Sequence, residues 1–158
     1  MKRFALSSAG LLCALACVSA VPAFAQNAAP AAPTQQQAPR DIDPNTLANA
    51  AASVLQGFDA GKAGDLWDGA SVVAKRAAKR ADFIDHVAKA RKPLGPPVER
   101  NWMAVRRQQV AGGTQLPPGT YASIEFVTRF QNNRVARELV SLRLDEDRIW
   151  RFAGYVIE

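Results

Sequence analysis

The sequence predicts one α+β domain, with N-terminal helices packed on a curved four-stranded antiparallel sheet. Three observations point there. Apolar residues after Pro44 recur at three- and four-residue steps, β-branched and aromatic residues gather in four stretches after Pro97, and the last two connections between those stretches are short. Helices first and consecutive strands afterwards is the order of an α+β domain, with the helices covering one sheet face. At 158 residues and 48% hydrophobic content, the chain has material for one core of ordinary size and not for two domains.

Residues 1–25 read as a secretory signal peptide. Lys2 and Arg3 precede an apolar run, and Ala23 and Ala25 flank Phe24 as small residues before a cut placed between Ala25 and Gln26. Two alternatives stay open: an uncut membrane-spanning segment from Phe4 to Ala25, and lipoprotein anchoring at Cys17 after Ala14-Leu15-Ala16. The lipoprotein box lacks the large aliphatic residue usual three places before the cysteine. Cys13 and Cys17 both fall inside this leader, so the mature chain is expected to contain no disulfide and no thiolate chemistry. Taking Lys2 and Arg3 from the 20 basic residues leaves 18 against 14 acidic ones, a net charge of +4. That balance permits weak attraction to anionic envelope surfaces and is ordinary for a solvated surface.

Residues 26–40, QNAAPAAPTQQQAPR, hold three prolines and no aromatic or β-branched aliphatic residue, so they are expected to form a disordered tether. The domain then spans 41–158. Asp43 followed by Pro44 is a helix start, and Leu47, Ala51, Val54, Leu55 and Phe58 make one apolar stripe that ends before Gly61. A short turn around Trp67 and one or two further helices follow. The longer of these carries Phe83, Val87 and Ala90 on one side and is stopped by Pro93 and Gly95. The strands are Val98 to Val110, Tyr121 to Phe130, Val135 to Leu144 and Ile149 to Ile157, expected as a meander. Alternation puts Ala122, Ile124, Phe126 and Phe130, and likewise Val140, Leu142 and Leu144, on the face that meets the helices.

Several pieces in this order form a pattern: DLWDGAS, Phe83 with Arg91-Lys92-Pro93-Leu94-Gly95, Arg100, LPPGTY, Phe126 and Phe130, Glu138, and the ending Trp150-Arg151-Phe152-Ala153-Gly154-Tyr155. Together they resemble the domain-of-unknown-function family numbered 4019. The resemblance implies a small exported bacterial protein without an established activity, and a fold similar to cystatin-like or nuclear-transport-factor-like cones. Two positions depart from the family pattern. Asp147 stands where a glycine usually precedes the last strand, and Lys79 stands where a helix-capping hydroxyl is common.

Cones of the resembled type can hold a ligand between sheet and helices, so polar residues on apolar faces are the candidates for a site. Glu138 shares strand parity with Val140, Leu142 and Leu144, and an inward carboxylate must find a partner or take up a proton. Arg100 shares parity with Val98 and Trp102 and can supply that partner, directly or across the intervening strand. The pair is either the polar floor of a pocket or a structural ion pair, unless Glu138 sits at a frayed, solvated edge. Tyr121 and Tyr155 sit at strand ends, where their hydroxyls either orient a ligand or make one packing hydrogen bond.

His86, with Asp82 one turn earlier, has the spacing of an oriented imidazole, but Asp85 and Lys89 beside it indicate a solvated face. The basic residues Lys75, Arg76, Lys79, Arg80, Lys89, Arg91, Lys92, Arg106 and Arg107 either converge on an anionic surface or partner carboxylates singly. No catalytic residue is assigned. No metal site, cofactor or nucleic-acid partner is expected: the mature part offers one histidine, no cysteine and no Gly-x-Ser-x-Gly elbow, and the basic residues are not interleaved with aromatic ones. Membrane contact is expected only through the signal segment. The expectation is therefore a periplasmic or secreted, non-catalytic module that binds an envelope protein or a small ligand, with Glu138, Arg100, Tyr121 and Tyr155 as candidate ligand-binding residues. The alternatives are a small isomerase- or dehydratase-like enzyme using Glu138 or Asp82-His86, and a basic adaptor for anionic envelope polymers.

Overall fold

The computed structural model describes residues 42–111 and 116–158. The expected signal peptide, the tether and both cysteines lie outside the described residues. Helix α1, Pro44–Asp59, begins as the sequence requires: Pro44 occupies the first turn, and the Asp43 carboxylate accepts a hydrogen bond from Asn45 N at 2.9 Å. Its buried stripe is Leu47, Ala48, Ala51, Val54, Leu55 and Phe58. The region around Trp67 is a short helix, α2, Ala63–Asp68. Helix α3, Val72–Ala77, is capped by the Ser71 hydroxyl, which accepts from Val73 N at 3.3 Å. Helix α4, Arg80–Arg91, starts at Lys79 without any side-chain cap.

Four strands follow: β1 Pro97–Val110, β2 Gly119–Phe130, β3 Val135–Leu144 and β4 Trp150–Ile157. They pair antiparallel in the order β1-β2-β3-β4, the meander that the short connections predict. Cross-strand neighbours on the inner face are Arg100, Thr128 and Ala136 in one row, Trp102, Phe126 and Glu138 in the next, then Ile124, Val140 and Tyr155, then Ala122, Leu142 and Phe152. A bulge between Trp102 and Ala104 and another at Ser141/Leu142 interrupt the ladders. The free edge of β4 is partly covered, since Ser71 N donates to Phe152 O at 2.8 Å.

The β2–β3 and β3–β4 hairpins use the same turn, which ends on a left-handed residue. Asn133 has φ 57° and donates to Phe130 O at 3.1 Å, and Arg148 has φ 64° and donates to Asp145 O at 2.8 Å. The Cβ of either residue crowds the backbone there, but asparagine's short amide can offset that cost with local hydrogen bonds, which the long arginine side chain does not. The strained position in the last turn is thus Arg148, one residue after Asp147.

Helices and sheet close on a packed core. Leu47, Leu55, Ile124, Val140 and Leu142 are essentially inaccessible, each contributing about 1.5–3 kcal/mol of burial. Phe58, Phe83, Phe152 and Tyr155 form an aromatic group joining α1, α4 and β4, with ring centroids 4.8 to 6.0 Å apart. The space between sheet and helices, where the resembled cones place a ligand, is therefore filled along most of its length. Openings occur at its rim.

Candidate functional site

Glu138 has no solvent exposure at all, and four donors meet its two oxygens. Oε1 accepts from Arg91 and from the Tyr155 hydroxyl at 2.7 Å, while Oε2 accepts from Arg100 Nε at 3.0 Å and from the Thr128 hydroxyl. The donors also bond one another: Arg91 donates to the Tyr155 oxygen at 2.7 Å, and Arg100 Nε to the Thr128 oxygen at 3.1 Å. Asp59 closes the cluster from the last turn of α1, accepting from Arg100 at 2.9 and 3.3 Å and from Arg91. Two cations therefore face two anions. Helices α1 and α4 and all four strands each supply a member, so the cluster clamps the ends of these two helices to the whole sheet.

The chemistry of the carboxylate follows from this saturation. Burial alone pushes the Glu138 carboxyl up, but the Thr128 hydroxyl, Arg91, Tyr155 and Arg100 together hold it below the usual carboxylate value. Burial and the neighbouring Glu138 charge push the Tyr155 hydroxyl above the usual phenol value. Arg91 is enclosed by aromatic rings, its guanidinium carbon lying 5.9 to 6.0 Å from the centroids of Phe58, Phe130 and Tyr155. The arrangement holds charge still. It leaves neither Glu138 oxygen idle for proton transfer.

Of the four candidate residues, Glu138, Arg100 and Tyr155 meet in this cluster and Tyr121 does not. Tyr121 lies on the opposite sheet face from Ile124 and Phe126, as alternation dictates, and its hydroxyl donates to Pro117 O at 2.9 Å. Its ring lies 6.0 Å from the Arg143 guanidinium carbon, the centre of a second ionic group. Arg143 there donates to Asp145 at 2.7 Å and Glu146 at 2.8 Å, and Asp145 also accepts from the Ser71 hydroxyl at 2.7 Å. Gly119 leaves room beside it: its φ is 153°, and a Cβ there would stand 3.0 Å from Arg143 Nε, so the arginine would have to shift.

Asp59, Arg91 and Thr128 are the members that sequence reading missed. Arg91 stands in the sequence among the cations Lys89 and Lys92, yet it falls four residues after Val87 and seven after Ile84, on the buried side of α4. Thr128 sits between Phe126 and Phe130 on the same face of β2. A polar residue continuing an apolar stripe was the available signal in each case. His86 and Asp82 lie on the exposed side of α4, where Lys89 pairs with Asp85 at 2.6 Å. The Lys75 ammonium donates to Asp68 O at 2.6 Å, and Arg80 grips the Asp68 carboxylate at 2.9 and 3.0 Å. Lys75 and Arg80 thus both meet Asp68, while Lys89 has Asp85 as its partner. Among the described residues no group of three or more His, Cys, Asp or Glu side chains is placed to hold a metal ion, and no helix is long and apolar enough to cross a membrane.

Beside the ionic cluster opens a cleft of about 350 Å³ between the end of α1, the start of α2, α4 and the turn leading into β1. Phe58, Ala63, Ile84, Val87, Pro96 and Pro97 give it apolar walls, and Asp59, Arg91 and Lys92 give it a charged side. Its size falls within the ~300–1,000 Å³ range of small-molecule clefts. Comparison with curated proteins finds no match. Residues 50–155 match a family profile over most of the folded part, and the chain belongs to the family described as "Protein of unknown function (DUF4019)".

Proposed function

We propose that this protein is an exported envelope module that binds a second protein or a small ligand and carries out no chemistry of its own. The observation that carries the reading is the saturation of Glu138. It is the buried carboxylate on the inner face of the sheet, and all of its bonding capacity is taken by Arg91, Arg100, Thr128 and Tyr155. A general acid or base needs a lone pair or proton facing a substrate and a pKa near the working pH. Glu138 has a depressed pKa and faces only its partners. The leader pattern of residues 1–25 supports the export half of the reading, and the apolar cleft supports the binding half.

Native mass spectrometry of protein released by osmotic shock, from cells expressing it with its own leader, tests both halves. The expected species is a chain beginning at Gln26 that carries a noncovalent companion, recovered chemically unchanged after release and re-addition. A chain retaining Met1 would overturn export, and a chain without a companion, or a companion converted on re-addition, would overturn the binding reading.

A further inference from the structure

The cleft beside the ionic cluster is built from small residues facing a buried apolar floor. On α4, Ile84, Val87, Ala88 and Arg91 form one line at steps of three and four, and opposite them stand Phe58, Gly61 and Ala63. Ala63, Ala88, Gly61 and Gly95 are too short to fill the space between them. Phe58, Ala63 and Val87 at its base are buried, so the floor is part of the core and not a fold in a mobile surface.

The charges around it are unequal. Asp59 and Arg91 are both spent on the cluster that joins them to Arg100 and Glu138. Lys92 lines the same cleft, is exposed, and has no ion-pair partner among the described residues. Lys62, between Gly61 and Ala63, is likewise exposed and unpaired among the described residues. An apolar slot closed at one side by a neutral ionic cluster and edged by the unpaired Lys92 ammonium matches a molecule with an apolar body and an anionic end.

We propose that the cleft binds a single-chain alkyl carboxylate, with the chain between Phe58, Ile84 and Val87 and the carboxylate at Lys92. This rests on the reading of the protein as a binding module and names its ligand class. The unpaired cation lining the cleft is a single ammonium group, suited to a singly charged head and not to the forked recognition of a phosphate. Chain burial supplies most of the affinity, and the ion pair sets the sign of the preferred head group.

The test uses n-decanoate, with decyltrimethylammonium as the matched cation, by calorimetry and by amide chemical shifts on the mature chain. Decanoate is expected to bind and to shift the amides of Phe58, Ala63 and Val87, with the cation weaker. Ala88→Trp places a ring in the cleft from an exposed helical position. Displacing even two methylenes weakens decanoate more than about tenfold. Lys92→Glu is expected to weaken decanoate by about fivefold, the scale of one exposed ion pair, and to strengthen the cation. Urea melts of both variants check that the fold survives. Equal affinity for the two head groups, indifference to Ala88→Trp, or shifts confined to another surface would overturn the proposal. So would binding only to anionic lipid vesicles with none to monomeric decanoate. Failure of decanoate while the protein still carries a companion from the cell refutes this ligand class alone, whereas loss of any companion refutes the binding reading beneath it.

Discussion

Replacing Glu138 with glutamine keeps the size of the side chain and removes its charge. The native carboxylate accepts from Arg91, Tyr155, Arg100 and Thr128. An amide has one acceptor oxygen, and its NH₂ group turns two hydrogens toward groups that are themselves donors. Arg91 and Arg100 are then left to share Asp59. Removing one partner from a buried ionic group costs about 3–5 kcal/mol, against a total of about 5–15 kcal/mol for a domain. In urea, with a slope of ~1–3 kcal/mol per molar, the unfolding midpoint falls by about 2 M. If the cluster acts as a unit, the double variant Arg100→Met with Glu138→Gln costs less than the two single changes added, by about 1–3 kcal/mol. The acid side gives a second signature. Glu138 has a folded pKa below that of the unfolded chain, so its stabilisation is complete above ~pH 4.3 and is lost as the pH falls through the folded value. The gap between wild type and variant is therefore constant near neutrality and narrows below about pH 4. A midpoint shift below about 0.5 M, or strict additivity in the double variant, would refute the reasoning.

Three further changes have worked-out directions. Lys79→Ser supplies the side-chain acceptor that the start of α4 lacks, and a urea titration should show a gain of about 1 kcal/mol. Arg148→Gly relieves the left-handed residue of the β3–β4 turn and should raise stability by roughly 1 kcal/mol, whereas the same change at Asn133 should gain less. Tyr155→Phe removes a bridging hydroxyl and should cost about 1–2 kcal/mol at neutral pH. Because the Tyr155 pKa is raised in the fold, the stability tied to it is whole below ~pH 10 and declines above it, so urea titrations at rising alkaline pH should show a flatter decline in the variant.

Period and punctuation carried the architecture. The Asp43-Pro44 start, the stripe from Leu47 to Phe58 and the parity of Ile124, Phe126, Val140 and Leu142 are local facts, and each reappears as a cap, a buried helix face or a sheet face. The inward direction of Glu138 follows from the same parity. Its neighbourhood does not, because four of its contacts come from residues at least ten positions away, two of them on helix ends and non-adjacent strands. Arg91 illustrates the difficulty: beside Lys89 and Lys92 it looks like one more solvated cation, and only the crossing of α4 over the sheet brings it to Glu138. Tyr121 differs, since a place at a strand end allows either a ligand-facing or a packing hydroxyl, and its odd position sends it to the face opposite Ile124 and Phe126. The cleft was illegible for a related reason. It is made by what Gly61, Ala63, Ala88 and Gly95 leave empty, and absent volume has no pattern in a sequence.

Glu138 is a fully bonded anchor, charged at neutral pH. Carbon-13 NMR titration of its side-chain carboxyl, assigned by comparison with Glu138→Gln, measures that state directly. One transition is expected, below the ordinary glutamate value of ~4.3, with no proton uptake near neutrality. A transition between about pH 5 and 8, the range of a working acid or base, would contradict it.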